Sequence, residues 1–328
     1  MSSSHQQHQS AQCQNEPHRN VQDKYVGVWP VMLTPFNAQR EIDYDSLANL
    51  VEWYLASGVH GLFAACQSSE MFFLSDKETQ ELVRFVVQQV DGRVPIVASG
   101  HTASGASQQV EQLNAMAETG IDGLILISNR LALAGESDQQ ALQSLQQLTE
   151  QLPKQVDLGI YECPYPYKRL LSDDIVEWCA ESQRYTFIKD TCCDLPTIQR
   201  RLQRVAGSRL HLANANSQTL LASFQAGCQA YSGIMANFHP QLYVWLYENW
   251  RDQPQQALAL ADYLSTSALV ENLDYPACAK FFQQQIGNFA THACRVRNSD
   301  AYSKGFFPEA IDSMVRLGEA FQQDLTQR

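Results

Sequence analysis

The chain has 328 residues, 45% of them hydrophobic, which is enough to bury one large core or two of average size. Its formal net charge of -12 and lack of a clustered Lys/Arg stripe argue against a nucleic-acid partner and direct attention to a small-molecule ligand. No apolar run reaches the roughly 18 residues of a membrane span, and the N-terminus lacks the pattern of a signal peptide, so a cytoplasmic protein is expected. Nine cysteines, an odd count without framework spacing or a C-x-x-C pair, read as reduced thiols rather than as disulfides or a zinc site.

Residues 1–24 are polar and rich in Gln, His and Ser, with too little apolar area to offset the entropy of ordering. They are expected to form a mobile tail, in which His5, His8 and His18 would bind metal only weakly. From Val26 onward, short apolar runs alternate with stretches of helical period, the signature of βα units around a parallel sheet. Eight runs are visible: 28–33, 62–65, 94–98, 124–127, 158–161, 186–190, 210–213 and 230–234. Between the first two, Leu47, Leu50, Val51, Tyr54 and Leu55 recur at helical spacing. Before the third, Ser75 and Glu78 form a capping box ahead of Leu82, Val83, Val86 and Val90.

A weak repeat supports the count. Gly58, Gly120 and Gly227 each close a helix and precede a strand, as a left-handed C-cap requires. Eight such units over residues 25–250 predict a closed (β/α)8 TIM barrel rather than an open doubly wound sheet, and no G-x-G-x-x-G follows the first strand. Beyond Trp250 the pattern is helical only, at 254–268, 276–288 and 308–325, giving a C-terminal helical extension over 251–328.

In such a barrel, chemistry sits at the C-terminal ends of the strands. Lys189 closes the apolar run Tyr185-Thr186-Phe187-Ile188, an awkward place for an ammonium group unless burial lowers its pKa and frees an amine to attack a carbonyl. The bland alternative is a solvated lysine paired with Asp190. Tyr161 ends the adjacent strand, where a phenol can relay protons. Cys66-Gln67-Ser68-Ser69-Glu70 after the second strand offers hydroxyls and backbone N–H groups to a carboxylate. Ser232 in the eighth run and Arg130 after the fourth complete the candidate binding residues, Arg130 as a clamp for a distal carboxylate or simply as a surface side chain. His101 and His239 fall in loops at the same end but rank below Tyr161 as acid-base groups. Cys192 and Cys193 read better as small buried hydrophobes at a helix start than as redox-sensitive thiols.

These features together resemble the N-acetylneuraminate lyase and dihydrodipicolinate synthase family of class I pyruvate-dependent aldolases. The resemblance runs from Tyr25 over nearly the whole chain. It rests on Val28 to Phe36, which ends in Leu33-Thr34-Pro35-Phe36, on Tyr161-Glu162-Cys163-Pro164, on Ile188-Lys189-Asp190, and on Ala236-Asn237 with Pro240. It implies that Lys189 forms a Schiff base with pyruvate or another 2-oxo acid, that Tyr161 relays protons, and that the Ser68-Ser69 loop holds the carboxylate. It also implies that no metal or organic cofactor is needed and that the protein is a homo-oligomer, a tetramer or a dimer.

Departures from the family restrict the substrate. Gln67 replaces the small hydroxyl residue that normally bonds the relay tyrosine, and Ser128-Asn129-Arg130-Leu131 lacks the family's tyrosine pair. The arginine placed shortly after Y-x-x-P in the lysine-pathway enzymes is absent, with Tyr165-Pro166-Tyr167-Lys168-Arg169 in its region. The neutral Asn214-Ala215-Asn216-Ser217 does not suit sialic acid. The expected activity is therefore a Schiff-base lyase, aldolase or dehydratase, outside lysine biosynthesis. The competing readings are a catalytically silent barrel that binds or senses a 2-oxo acid, and a metal-dependent aldolase, for which no ligand cluster is visible.

Overall fold

The computed structural model describes residues 24–299, 302 and 305–326. The expected polar tail and its three histidines lie outside the described residues. Eight parallel strands run in the order β1, β8, β7, β6, β5, β4, β3, β2. They are β1 (Gly27–Val28), β2 (Leu62–Phe63), β3 (Ile96–Ala98), β4 (Gly123–Ile127), β5 (Asp157–Tyr161), β6 (Tyr185–Asp190), β7 (His211–Asn214) and β8 (Ala230–Tyr231). The ring closes through a parallel bridge between Val31 and Phe63, where Met32 N donates to Phe63 O at 3.0 Å and Phe63 N to Pro30 O at 3.0 Å. β1 is shorter than its apolar run because Pro30 has no N–H for the ladder.

Helices α1 (Tyr44–Ala56), α2 (Asp76–Val90), α3 (Ala106–Ala117), α4 (Asp138–Glu150), α5 (Asp173–Glu181), α6 (Leu195–Val205), α7 (Leu220–Gln225) and α8 (Pro240–Asn249) surround the ring. α9 (Pro254–Ser267), α10 (Ala277–Gln285) and α11 (Phe307–Thr326) follow it. The Ser75–Glu78 capping box forms as its spacing predicts, and Gly58, Gly120 and Gly227 take φ of 77°, 92° and 101°.

Strand alternation sorts the core into two layers. Leu124, Leu126, Ile160 and Ile188 face the helices, whereas Trp29, Phe63, Val97, Ile125, Ile127, Phe187, Ala213 and Ala230 fill the ring. Trp29 packs 5.4 Å from Phe187 and 5.8 Å from Tyr25 between ring centroids, plugging the lower barrel. A Cβ on Gly61 would stand 2.3 Å from the Trp29 ring, so only glycine lets the indole in. Above this plug the inward positions turn polar, and there the candidate site is built.

Candidate active site

Two residues above Phe187 on β6, Lys189 points into the ring and is 3% exposed. Its register partners are Tyr161 on β5 and Ala213 on β7. The ammonium nitrogen lies 4.4 Å from the Tyr161 ring centroid and 5.6 Å from that of Phe63, and forms no ion pair or hydrogen bond among the described residues. Burial brings its pKa down to about 8, against an opposing pull from the Cys66 and Cys163 thiols. The solvated pairing with Asp190 does not occur, because strand alternation turns Asp190 to the other face.

There, Asp190 and Glu162 share Arg201 of α6, all three essentially without solvent contact. Arg201 donates to Glu162 Oε1 at 2.6 Å, to Asp190 Oδ2, and to Leu171 O at 2.8 Å. Glu162 also accepts Leu171 N at 2.7 Å and Thr191 N at 2.8 Å, while Asp190 accepts Cys192 N at 2.8 Å. One buried cation thus pins the ends of β5 and β6, the strands that carry Tyr161 and Lys189. Burial and the adjacent Asp190 push the Glu162 carboxyl above its ordinary range.

Tyr161 is buried edge-on to Phe63 at 5.7 Å, and desolvation raises its phenol well above 10, so it is a protonated donor. Around it stand Cys66 and Cys163; the Cys163 thiol, pushed up to about 11 by burial, reaches Gln67 Oε1 at 3.6 Å and Tyr165 O at 3.4 Å. In the loop after β2, the Ser69 hydroxyl donates to Cys66 O at 2.7 Å and accepts Cys66 N at 2.7 Å. Ser69 therefore shapes the loop, while the Ser68 hydroxyl pairs with the Tyr275 phenol. Glu70, at φ 59°, anchors the loop from behind through Lys280 of α10 and the backbone N–H groups of Arg295 and Val296, both at 2.7 Å.

Ser232 continues the inward face of β8 past Ala230; its hydroxyl is buried with no partner among the described residues. Ser99, two residues beyond inward Val97, repeats this arrangement on β3. Sequence reasoning missed Ser99, although the alternation that placed Lys189 points to it equally. It missed Cys163 because a lone cysteine has no spacing signal.

Arg130 is half-buried, with its guanidinium 5.3 Å from the Phe72 ring and its Nε buried without a partner among the described residues. It borders a cavity of about 190 Å³ that also includes Gln109, Asn129 and Tyr167. A wider cavity of about 840 Å³ lies away from this chemistry, beside Tyr25, Thr186 and His211. Among the described residues, no group of three or more His, Cys, Asp or Glu is placed to hold a metal ion.

Two expectations are corrected or narrowed. Cys192 and Cys193 are not buried hydrophobes at a helix start: Cys192 is half-buried and Cys193 exposed, in the turn before α6. That turn is irregular, with Cys193 at φ 58°, which carries its side chain away from the core. Burial raises the Cys192 thiol to about 12. The two histidines are structural: His101 accepts Ile127 N and contacts Gln109 Oε1 at 3.3 Å, held neutral with a pKa of about 3. His239, held near 4 by burial, bonds Tyr263 at 3.1 Å, between α9 and α11.

An all-parallel eight-stranded barrel with a desolvated lysine and a phenol at its C-terminal mouth has the layout of a barrel enzyme. The dihydrodipicolinate synthetase family model matches residues 24–295, and the chain belongs to that family, whose members are lyases. A 4-hydroxy-tetrahydrodipicolinate synthase of Magnetococcus marinus is 27% identical over 229 residues, 70% of this chain and 76% of that protein. An uncharacterised DapA-like lyase of Halobacterium salinarum is 28% identical over 225 residues, 68% and 71% of the two chains. The solved YagE, a prophage protein of Escherichia coli K12 in complex with pyruvate, superposes with a TM-score of 0.77 at 20% identity, over 91% of this chain and 99% of that one. Dihydrodipicolinate synthase of Acinetobacter baumannii complexed with pyruvate gives 0.80 at 19%, over 90% and 99%.

Proposed function

We propose that the protein is a Schiff-base-forming lyase, an aldolase or dehydratase, acting on pyruvate or a related 2-oxo acid. The observation that carries this reading is Lys189, a buried amine free of counter-ions beside a protonated phenol. With a pKa of about 8, roughly a tenth of the amine is neutral at pH 7, against about one part in 3,000 for a lysine at 10.5. The amine adds to the 2-oxo carbon, Tyr161 donates the proton that converts the oxygen to a leaving water, and the resulting iminium withdraws electrons from the neighbouring carbon. Cleavage or proton loss there gives an enamine, and the phenolate left on Tyr161 takes up the proton released, restoring the phenol.

The substrate lies outside lysine biosynthesis on this reading. The two cations nearest the Y-x-x-P turn are committed elsewhere: Lys168 to Thr191 O, and Arg169 to Asp138 at 2.8 Å and to the carbonyls of Leu133 and Glu136, each at 2.7 Å. Arg130 is the cation left to meet a distal carboxylate, with Ser232 lining the chamber and Gln67 setting the position of Tyr161 through Cys163. No metal or organic cofactor takes part in this scheme. The protein works as a homo-oligomer, and exposed Phe73, Leu133, Tyr165 and Leu170 give the rim of the mouth an apolar face suited to self-association.

Borohydride reduction in the presence of pyruvate, followed by peptide mapping, tests the reading. A pyruvate-sized adduct on Lys189, lost in Lys189→Met, is the expected result. No adduct with any of a panel of 2-oxo acids, on folded protein, replaces it with a silent barrel that only binds such acids.

A further inference from the structure

The segment after the barrel also brings a phenol to the site. Tyr275 stands just before α10, and its oxygen accepts a hydrogen bond of 2.9 Å from Asn237 Nδ2. Asn237 is itself immobilised. Its second amide bond goes to Val31 O at 3.0 Å, its Oδ1 accepts the Tyr54 hydroxyl, and its carbonyl accepts Gln283 Nε2 at 2.8 Å. The Ser68 hydroxyl lies against the Tyr275 phenol, with Cys66 and Tyr54 beside it and Tyr161 within electrostatic reach. The phenol oxygen therefore acts as an acceptor from Asn237, and apart from Ser68 its own O–H has no partner among the described residues. Burial keeps that proton in place, raising the phenol well above 10.

The geometry points to Tyr275 as an anchoring residue, which, held by Asn237 and paired with Ser68, donates its O–H to the carboxylate of the bound 2-oxo acid; this rests on the Schiff-base reading of Lys189. Neutral donors suit this position. A hydrogen bond from a hydroxyl to a carboxylate in a dry chamber is charge-assisted, and it places the anion without the counter-ion that would raise the lysine's pKa. Because Asn237 fixes the oxygen, the donor is oriented before substrate arrives, and little freedom is lost on binding.

The test is Tyr275→Phe in the full chain, which removes one oxygen and keeps the ring. Borohydride-trapped adduct on Lys189 is measured against the concentration of pyruvate and, separately, of hydroxyacetone, an uncharged ketone. The half-saturating pyruvate concentration is expected to rise about tenfold or more, as for loss of a hydrogen bond to a charged group. That for hydroxyacetone should stay within about twofold, and the adduct at saturation should be unchanged. An equal rise for both ketones shows that Tyr275 merely shapes the chamber, and no rise for either shows that it is idle; each overturns the inference. If Tyr275→Phe melts too low to assay, Ser68→Ala removes the hydroxyl paired with the phenol, and an equal effect on both ketones again overturns it. Absence of adduct in the unaltered protein is a separate outcome, which removes the Schiff-base reading and this inference with it.

Discussion

Lys189 is the clearest case of a residue whose environment is set against its own charge. Its folded pKa of about 8 lies below the 10.5 of an unfolded lysine, so the native state binds fewer protons between those values. Stability therefore rises with pH from 8 to 10.5, and the full penalty applies below 8. Lys189→Met is expected to be more stable than the unaltered protein at pH 7 by about 3 kcal/mol, with the gap closing above pH 10.5, as read by denaturant unfolding across pH. A gap independent of pH would show that the methionine gains by packing alone. The same pKa predicts that the rate of iminium trapping climbs with pH and levels off above about 8. Lys189 and Tyr161 were legible because each ends an apolar run. The turn at Cys192 and Cys193 was not, since no local pattern signals its left-handed residue.

At the scale of the elements, the site depends on contacts between non-adjacent segments. Arg201 on α6 ties the ends of β5 and β6 through Glu162 and Asp190. Replacing it with methionine leaves two buried carboxylates without a cation, and a loss of about 3–5 kcal/mol in denaturant unfolding is expected, with activity falling further than stability alone explains. If stability falls by less than about 1 kcal/mol, the cluster is not what holds the two strands in register. The strands and helices themselves were largely readable. Apolar runs of the right length, the Ser75 cap and the three strand-preceding glycines depend on local periodicity and local backbone geometry. The partners of Arg201 were not readable, because a buried arginine at one position of a polar helix looks like any solvated one until the sheet is packed beneath it.

For the whole molecule, the decisive link is between the barrel and the helices that follow it. Lys280 of α10 neutralises Glu70 behind the loop after β2, and Arg295 pairs with Glu78 at 2.7 Å on α2. Lys280→Met strands a buried carboxylate, so it should lower the melting temperature and weaken pyruvate binding together, by about 3–5 kcal/mol of stability. A variant with unchanged pyruvate binding would separate the loop from the extension. Sedimentation should return a mass two or four times that of one chain; a monomer would leave the apolar rim of the mouth to some other contact.

The sequence alone determined the repeating βα pattern, hence the barrel, the end at which the candidate site lies, and the lysine and tyrosine that stand there. It could do so because periodicity, caps and strand ends are local properties of the chain. Which hydroxyls remain free, which histidines are welded into the framework, and that Tyr275 bonds Asn237 from outside the barrel were decided only by the tertiary structure. Burial and hydrogen-bond partnership join residues more than a hundred positions apart, and no local pattern encodes them.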